Sequence, residues 1–215
     1  MTQNTSSAVM QQRSEPHNSL DDFPTPPWAT RALCERFGGA NVLSGMTVCE
    51  PTANRGHMVR PLAEYFRTVI ASDIFDYGVG FLVKDYLFGP CGPSVEWTIT
   101  NPPFRLAEQF IERALETSTY GVAMILRSAF LEGVGRHNRL FSQTPPSHML
   151  QFSERVVMHK GKLSEKGSTA TAYCWLVWIK NFRGPTQMEW IAPCRKRLER
   201  AGDYPAENTP ETQEA

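Results

Sequence analysis

The spacing of apolar and polar positions changes repeatedly along the chain, and each change marks a switch between strand and helix. "MTVCE", "TVIASDI", "VEWTIT" and "GVAMIL" are short β-branched or apolar runs, the pattern of strands buried in a sheet. Between them apolar residues recur at helical spacing. "WATRALCERF" and "HMVRPLAEYF" show it, as does the segment after Phe104, where Leu106, Phe110, Ile111 and Ala114 share one face. A short extended piece near "FLVKDYL" and a helix near "GRHNRLFSQ" complete the alternation, and "MLQFSERVVM" and "TAYCWLVWIK" follow as strands. Strand and helix in alternation predict an α/β domain, a mostly parallel seven-stranded sheet with helices on both faces. Only a loop joins the last two strands, too short for a crossover helix, so the last strand is expected to run antiparallel.

The ends depart from this pattern. Residues 1–20 are polar and rich in Ser, Gln and Asn, and residues 193–215 pass from the basic "RKRLER" to the acidic "AGDYPAENTPETQEA". Both compositions predict largely disordered tails around a single domain at 21–192. A hydrophobic fraction of 41% and a charged fraction of 20% over 215 residues suit one globular domain with a substantial core. With 22 basic and 22 acidic residues the formal charge is zero, so any nucleic-acid contact must come from local basic patches. The 5 cysteines are odd in number, widely spaced and never arranged Cys-x-x-Cys. That argues against a disulfide framework and a zinc site, and points to a reducing cytoplasm. No signal-peptide core and no run approaching the roughly 20 apolar residues of a bilayer span is present. A soluble protein with no membrane partner and no metal is the expectation.

Three stretches carry candidate chemistry. In "VCEPTANRGHM" a strand ends at Glu50-Pro51 and a tight loop holding Asn54 and Gly56 leads into a helix. Gly56 tolerates positive φ or close ligand approach, and Asn54 is the next most tolerant residue type for left-handed backbone. The loop could wrap a cofactor or be a structural turn. Asp73 stands 23 residues beyond Glu50 at the next strand tip, where nucleoside-binding sheets place the acid that meets ribose hydroxyls. Asp76 competes for that role, and either acid could instead cap a helix. Asp85 falls at the following strand end, placed to read an adenine amine or to cap a turn. The third stretch, "TITNPPFRLAEQF", runs a strand directly into Asn-Pro-Pro-Phe before a helix, at the sheet edge where open α/β folds bind ligands.

In this order the segments resemble the S-adenosylmethionine-dependent N6-adenine DNA methyltransferase family in its phage and prophage forms, over roughly residues 22–180. "FPTPPWATRAL" resembles the family's segment ahead of the cofactor loop, and "EPTANRGHM" is similar to its Glu-Pro-Ala-Cys-x-x-Gly loop. "ASDI" and "KDYL" resemble its second and third cofactor segments, and "NPPF" its catalytic tetrapeptide. The resemblance implies a Rossmann-like methyltransferase fold and a cytoplasmic enzyme, in the host cytoplasm if phage-encoded. It implies S-adenosylmethionine held by Thr25, Glu50, Pro51, Asn54, Gly56, Met58, Asp73, Ile74 and Asp85, with catalysis at Asn101, Pro102, Pro103 and Phe104.

The chemistry explains that tetrapeptide. Adenine's exocyclic amine is a poor nucleophile because its lone pair is delocalised into the ring. Acceptors aimed at its two N–H groups, the Asn101 side-chain oxygen and the Pro102 carbonyl, would favour the tetrahedral nitrogen. The prolines fix φ and remove donors, and Phe104 offers a face to an unstacked base. Thr52, Ala53 and Asn54 replace the family's Ala-Cys-Gly, and Tyr173 is the one aromatic near the final strand that could form a second stacking face, though it reads equally as core. DNA would be met by Lys160, Lys162 and Lys166 in "HKGKLSEKG" and by the "RKRLER" run, if these are more than solvated faces. His57 reads as a packing or capping residue. RNA adenine, a protein glutamine, or a non-catalytic nucleic-acid-binding relic of the fold are the alternatives.

Overall fold

The computed structural model describes residues 21–89, 92 and 94–204. Helix α1 (Pro27–Arg36) opens with proline in its first turn and ends before Gly38, whose φ of 93° turns the chain out of the helix. A short α2 (Gly39–Leu43) leads to β1 (Thr47–Glu50), α3 (Val59–Ala63), β2 (Thr68–Asp73) and the two-residue β3 (Leu82–Val83). After β4 (Val95–Thr100) a 3-10 turn, Phe104–Leu106, feeds α4 (Ala107–Thr117) and β5 (Ser118–Arg127). A helical stretch including α5 (Val134–Arg136), then β6 (His148–Phe152), β7 (Tyr173–Ile179), β8 (Gln187–Ile191) and α6 (Arg195–Leu198) complete the chain.

The strands form one sheet in the order β3-β2-β1-β4-β5-β7-β6-β8. All pairings are parallel except those of β7, which lies antiparallel between β5 and β6. The α/β class and the antiparallel pairing of β6 with β7 are as the sequence predicts. The strand count is eight rather than seven, because "QMEWI" adds β8 parallel to β6 at the sheet edge. β8 escapes a periodicity search because Met188 and Trp190 are exposed, at 52% and 67%, so its apolar residues do not mark a core face.

Alternation along β5 and β7 builds a core on each side of the sheet. Ala123, Ile125, Trp175 and Val177 face Trp28, Leu33 and Leu62 of α1 and α3, while Val122, Met124, Leu126, Leu176 and Trp178 face Phe110, Ile111 and Ala114 of α4. The two final-strand tryptophans are core, each with its indole N–H donated to a backbone carbonyl, Trp175 to Ala29 and Trp178 to Thr144. Tyr173 is 3% exposed and belongs to the core, not to a stacking platform. Cys49 is half-buried, and Cys91 lies outside the described residues.

The carboxyl-terminal reading needs a second correction. Residues 195–204, assigned by composition to a disordered tail, fold back onto α1. Arg31, 2% exposed, donates through its terminal nitrogens to both oxygens of Asp203 (2.6 and 2.8 Å) and to the Leu198 carbonyl (2.7 Å). Its Nε and one terminal nitrogen donate to Glu64. Every guanidinium proton thereby has an acceptor, which is why an arginine can stand buried in α1. The predicted tails at 1–20 and 205–215 lie outside the described residues. Among the described residues no helix is long and apolar enough to cross a membrane, and no group of three or more His, Cys, Asp or Glu side chains could hold a metal ion.

Candidate active site

β1 has β2 on one side and β4 on the other, so the chain leaves the sheet in opposite directions around it. A crevice opens at such a switch point, beyond the carboxyl ends of the strands. Here it is a cavity of about 230 Å³, walled by Pro51, Thr52 and Asn54 after β1, Asp73 and Ile74 at the end of β2, and Asn101 and Pro103 after β4. Thr25, Met58 and Asp85 also line it. Ile74 and Phe88, 62% and 73% exposed, form an apolar rim.

The loop after β1 is shaped as its residue types predict. Asn54 adopts φ 49° and Gly56 φ 84°. A Cβ at Gly56 would crowd the Phe81 ring at 3.1 Å, but it is the positive φ that calls for glycine. Gly56 does not itself line the cavity. Asp73 ties this loop to β2: one carboxylate oxygen accepts from Asn54 N (2.9 Å) and the other from Phe75 N (3.0 Å). Burial pushes the Asp73 carboxyl up from its ordinary value, against the pull of those backbone N–H groups. Of the two competing acids, Asp73 lines the cavity, whereas Asp76 closes a surface turn on Gly78 N. Asp85 accepts from Leu87 N at 2.9 Å and lines the cavity.

At the Asn-Pro-Pro-Phe turn the Asn101 amide is oriented by Nδ2, which donates to the Phe23 carbonyl at 2.8 Å and lies 3.9 Å from the Met158 sulfur. A carbonyl only accepts, so the nitrogen must face Phe23, and Oδ1 is left as a bare acceptor with no partner among the described residues. Asp21 caps the turn by accepting from Phe104 N at 2.6 Å. The Phe104 ring does not line the cavity: the Arg127 guanidinium lies 4.2 Å from its centroid, and Phe23 packs beside it at 5.6 Å. Pro102 is buried beneath the turn and likewise stays out of the cavity.

Glu50 is a buried strut. It is 0% exposed and absent from the cavity wall, and Oε1 accepts from Thr52 N (3.0 Å), Thr52 Oγ1 (3.1 Å) and Thr100 Oγ1 (2.5 Å). Thr52 Oγ1 also lies 3.0 Å from the Asn101 carbonyl, linking the loop after β1 to the turn after β4. Burial, partly offset by these hydroxyl and N–H donors, pushes the Glu50 carboxyl up to about 7. Three buried polar atoms around the site have no hydrogen-bond partner among the described residues: Glu50 Oε2, Thr25 Oγ1 and His57 Nε2. The latter two belong to residues that line the cavity. Orphan polar atoms are rare in native interiors unless a ligand or water completes them, so the wall suits a polar occupant.

No family model matches the chain, and no curated protein matches its sequence. Solved structures do match. A protein from Listeria monocytogenes assigned to the class I S-adenosylmethionine-dependent methyltransferases superposes with a TM-score of 0.61 at 9% identity, over 86% of this chain and 69% of that one. The type I restriction-modification methyltransferase subunit of Streptococcus thermophilus gives 0.60 at 12% identity, over 85% of this chain and 50% of that one. A Pyrococcus horikoshii protein assigned as an RNA methyltransferase gives 0.56 at 17% identity, over 81% and 97%. The chain has a Rossmann-like methyltransferase fold.

Within this methyltransferase fold the predicted basic patches fare differently. Lys160, Lys162 and Lys166 are exposed on the loop between β6 and β7, away from the cavity wall but at the same sheet edge, where Gly161 N donates to the Asp22 carbonyl at 2.7 Å and Met158 packs near Asn101. The "RKRLER" run is largely neutralised: Arg195 pairs with Glu199, Arg197 with Glu35 and Arg200 with Glu64. Sequence reading missed Asp21, Phe23, Lys84 and Tyr86, all in the cavity wall. Asp21 accepts from the Phe104 backbone N–H and Phe23 offers its own carbonyl to the Asn101 side chain, pairings distant in sequence that leave no local pattern to find. Lys84 and Tyr86 flank Asp85 in "VKDYLF" and were within reach of the same argument.

Proposed function

We propose that the protein is an S-adenosylmethionine-dependent methyltransferase that methylates the N6 amine of adenine in DNA. The observation that carries this reading is one cavity whose wall holds Asn101, with Oδ1 free of partners among the described residues, together with Asp73, Asp85 and Thr25. The methyltransferase folds it superposes on are consistent with that cofactor. When bound, S-adenosylmethionine would supply a sulfonium-activated methyl group.

The chain's own residues would do the remaining work. The Asp73 and Asp85 carboxylates accept from ribose hydroxyls and an adenine amine, and Ile74 covers an apolar ring face. Asn101 Oδ1 accepts an N–H of the target amine and strengthens that bond as the nitrogen becomes tetrahedral. The Phe23 carbonyl keeps the oxygen on the correct side. Phe104 serves a flipped base only after Arg127 yields its ring face or becomes part of the stack. Lys160, Lys162 and Lys166 meet phosphates at the mouth.

Tritiated methyl transfer from S-adenosylmethionine onto DNA, RNA and protein, followed by digestion to nucleosides and mass detection, tests the reading. N6-methyladenosine recovered only in its deoxy form supports it. Label in ribonucleosides or in protein assigns the same site to one of those substrates. Failure of S-adenosylmethionine to bind would leave the orphan polar atoms of the wall to another ligand and end the enzymatic reading.

A further inference from the structure

His57 stands just before α3, at the edge of the cavity, and the mechanism above leaves it without a task. Its ring is 7% exposed, yet it lines the cavity. Nδ1 lies 3.1 Å from a terminal nitrogen of Arg60. Arginine cannot give up its proton and can only donate, so Nδ1 must be the acceptor, and in the neutral ring the proton sits on Nε2. Nε2 is therefore a donor, buried and without a partner. Burial, with the charges of Arg60 and Arg55 behind it, pulls the ring down to about 4 and keeps it neutral, so the tautomer is fixed near neutral pH.

A lone donor at a cavity wall selects an acceptor on the occupant. Asp21, Asp73 and Asp85 present acceptors along the wall, whereas the His57 Nε2–H is a donor with no partner among the described residues. Arg55 and Arg60 add positive potential at His57, with Asp22 the one opposing charge felt there. S-adenosylmethionine offers one anionic acceptor, the carboxylate of its amino-acid arm, which also carries an ammonium that a wall carboxylate can meet. Resting on the cofactor reading above, we infer that His57 is a cofactor-binding residue whose Nε2–H donates to the carboxylate of the bound cofactor's amino-acid arm.

The test compares S-adenosylhomocysteine, which keeps that arm, with 5′-methylthioadenosine, which lacks it, by calorimetry on the full chain. His57→Leu should weaken S-adenosylhomocysteine by about 10- to 100-fold, the range for one hydrogen bond to a charged group, and leave 5′-methylthioadenosine unchanged. His57→Gln, which restores an N–H at similar reach, should recover most of the loss. Equal weakening of both ligands, or of neither, overturns the assignment. If the variants do not fold, long-range nitrogen NMR on wild-type imidazoles decides: the Nε2–H signal should move with S-adenosylhomocysteine and stay put with 5′-methylthioadenosine. A signal indifferent to both overturns the role of His57 while leaving the cofactor reading intact. A wild-type chain that binds neither compound overturns both.

Discussion

Replacing Glu50 with Gln should remove a loss of stability that sets in as pH rises toward neutrality in the cofactor-free protein. The carboxyl is wholly buried, held by Thr52 and Thr100 on one oxygen and by nothing on the other. Its folded pKa of about 7 exceeds the ordinary 4.5, so between those values the native state binds a proton that the unfolded chain has released. Stability therefore falls as pH rises through that window, and the full cost is present above about 7. A rise from 4.5 to about 7, at about 1.4 kcal/mol per pH unit, puts the cost near 3 kcal/mol. Gln cannot ionise and keeps the Oε1 acceptor, but it buries an amide N–H where Oε2 lacks a partner, a pH-independent penalty of about 1–3 kcal/mol. The variant should be the less stable protein in mild acid and should gain on wild type by about 3 kcal/mol by mildly alkaline pH. Urea unfolding of both proteins from about pH 5 to about pH 8 reads the difference, in which His57, His148 and every other shared group cancel. A difference that stays constant across the range refutes the argument and would mean that Glu50 is ionised in the folded protein throughout.

Asn101→Ala should slow single-turnover methyl transfer by about 10²–10³ with cofactor affinity nearly unchanged, and Asn101→Asp should retain more activity because an oxygen acceptor remains; wild-type rates in a folded Asn101→Ala would reduce the tetrapeptide to a stiff turn. Replacing Lys160, Lys162 and Lys166 together with Ala should weaken DNA binding and flatten its salt dependence, since fewer counterions are released; an unchanged slope would make the loop a solvated hairpin. Asp203→Ala takes two acceptors from the buried Arg31, which keeps Glu64 and the Leu198 carbonyl, and should cost about 1–3 kcal/mol in urea unfolding. Arg31 holds the Asp203 carboxyl below its ordinary value despite the opposing effect of burial, so this stabilisation is present above the unfolded pKa and is lost as pH falls through the folded one. A melt that matches wild type would make residues 199–204 a passive appendage.

What the sequence made legible was whatever depends on local periodicity or on one residue's conformational tolerance. β1, β2, β4, β5 and α1 follow directly from apolar spacing, and the left-handed conformations of Asn54 and Gly56 follow from residue type. The meeting of Asp73, Asp85 and Asn101 at one cavity follows from the α/β order, because each ends a parallel strand. The eighth strand and the packed carboxyl terminus were hidden for a different reason. β8 buries little, and Arg31 with Asp203 is a charge pair whose members, 172 residues apart, each look solvent-facing by type.

The same limit applies with more consequence to the segment "DDFPT". By composition it is a Pro-rich entry to the domain. In the structure it is a clasp: Asp22 accepts from Asn54 and Arg55 across 32 and 33 residues, Phe23 holds Asn101 across 78, and Asp21 caps Phe104 across 83. Two of these contacts use a backbone group on one side, so no residue type is demanded there and no periodicity betrays them. Yet they decide which atom of Asn101 faces the cavity. An Asn side chain is nearly symmetric in shape, and without the Phe23 carbonyl its nitrogen and oxygen could exchange places at little cost. The oxygen on which the proposed chemistry depends is therefore specified by main chain 78 residues away, and the "NPPF" signature alone does not contain that information.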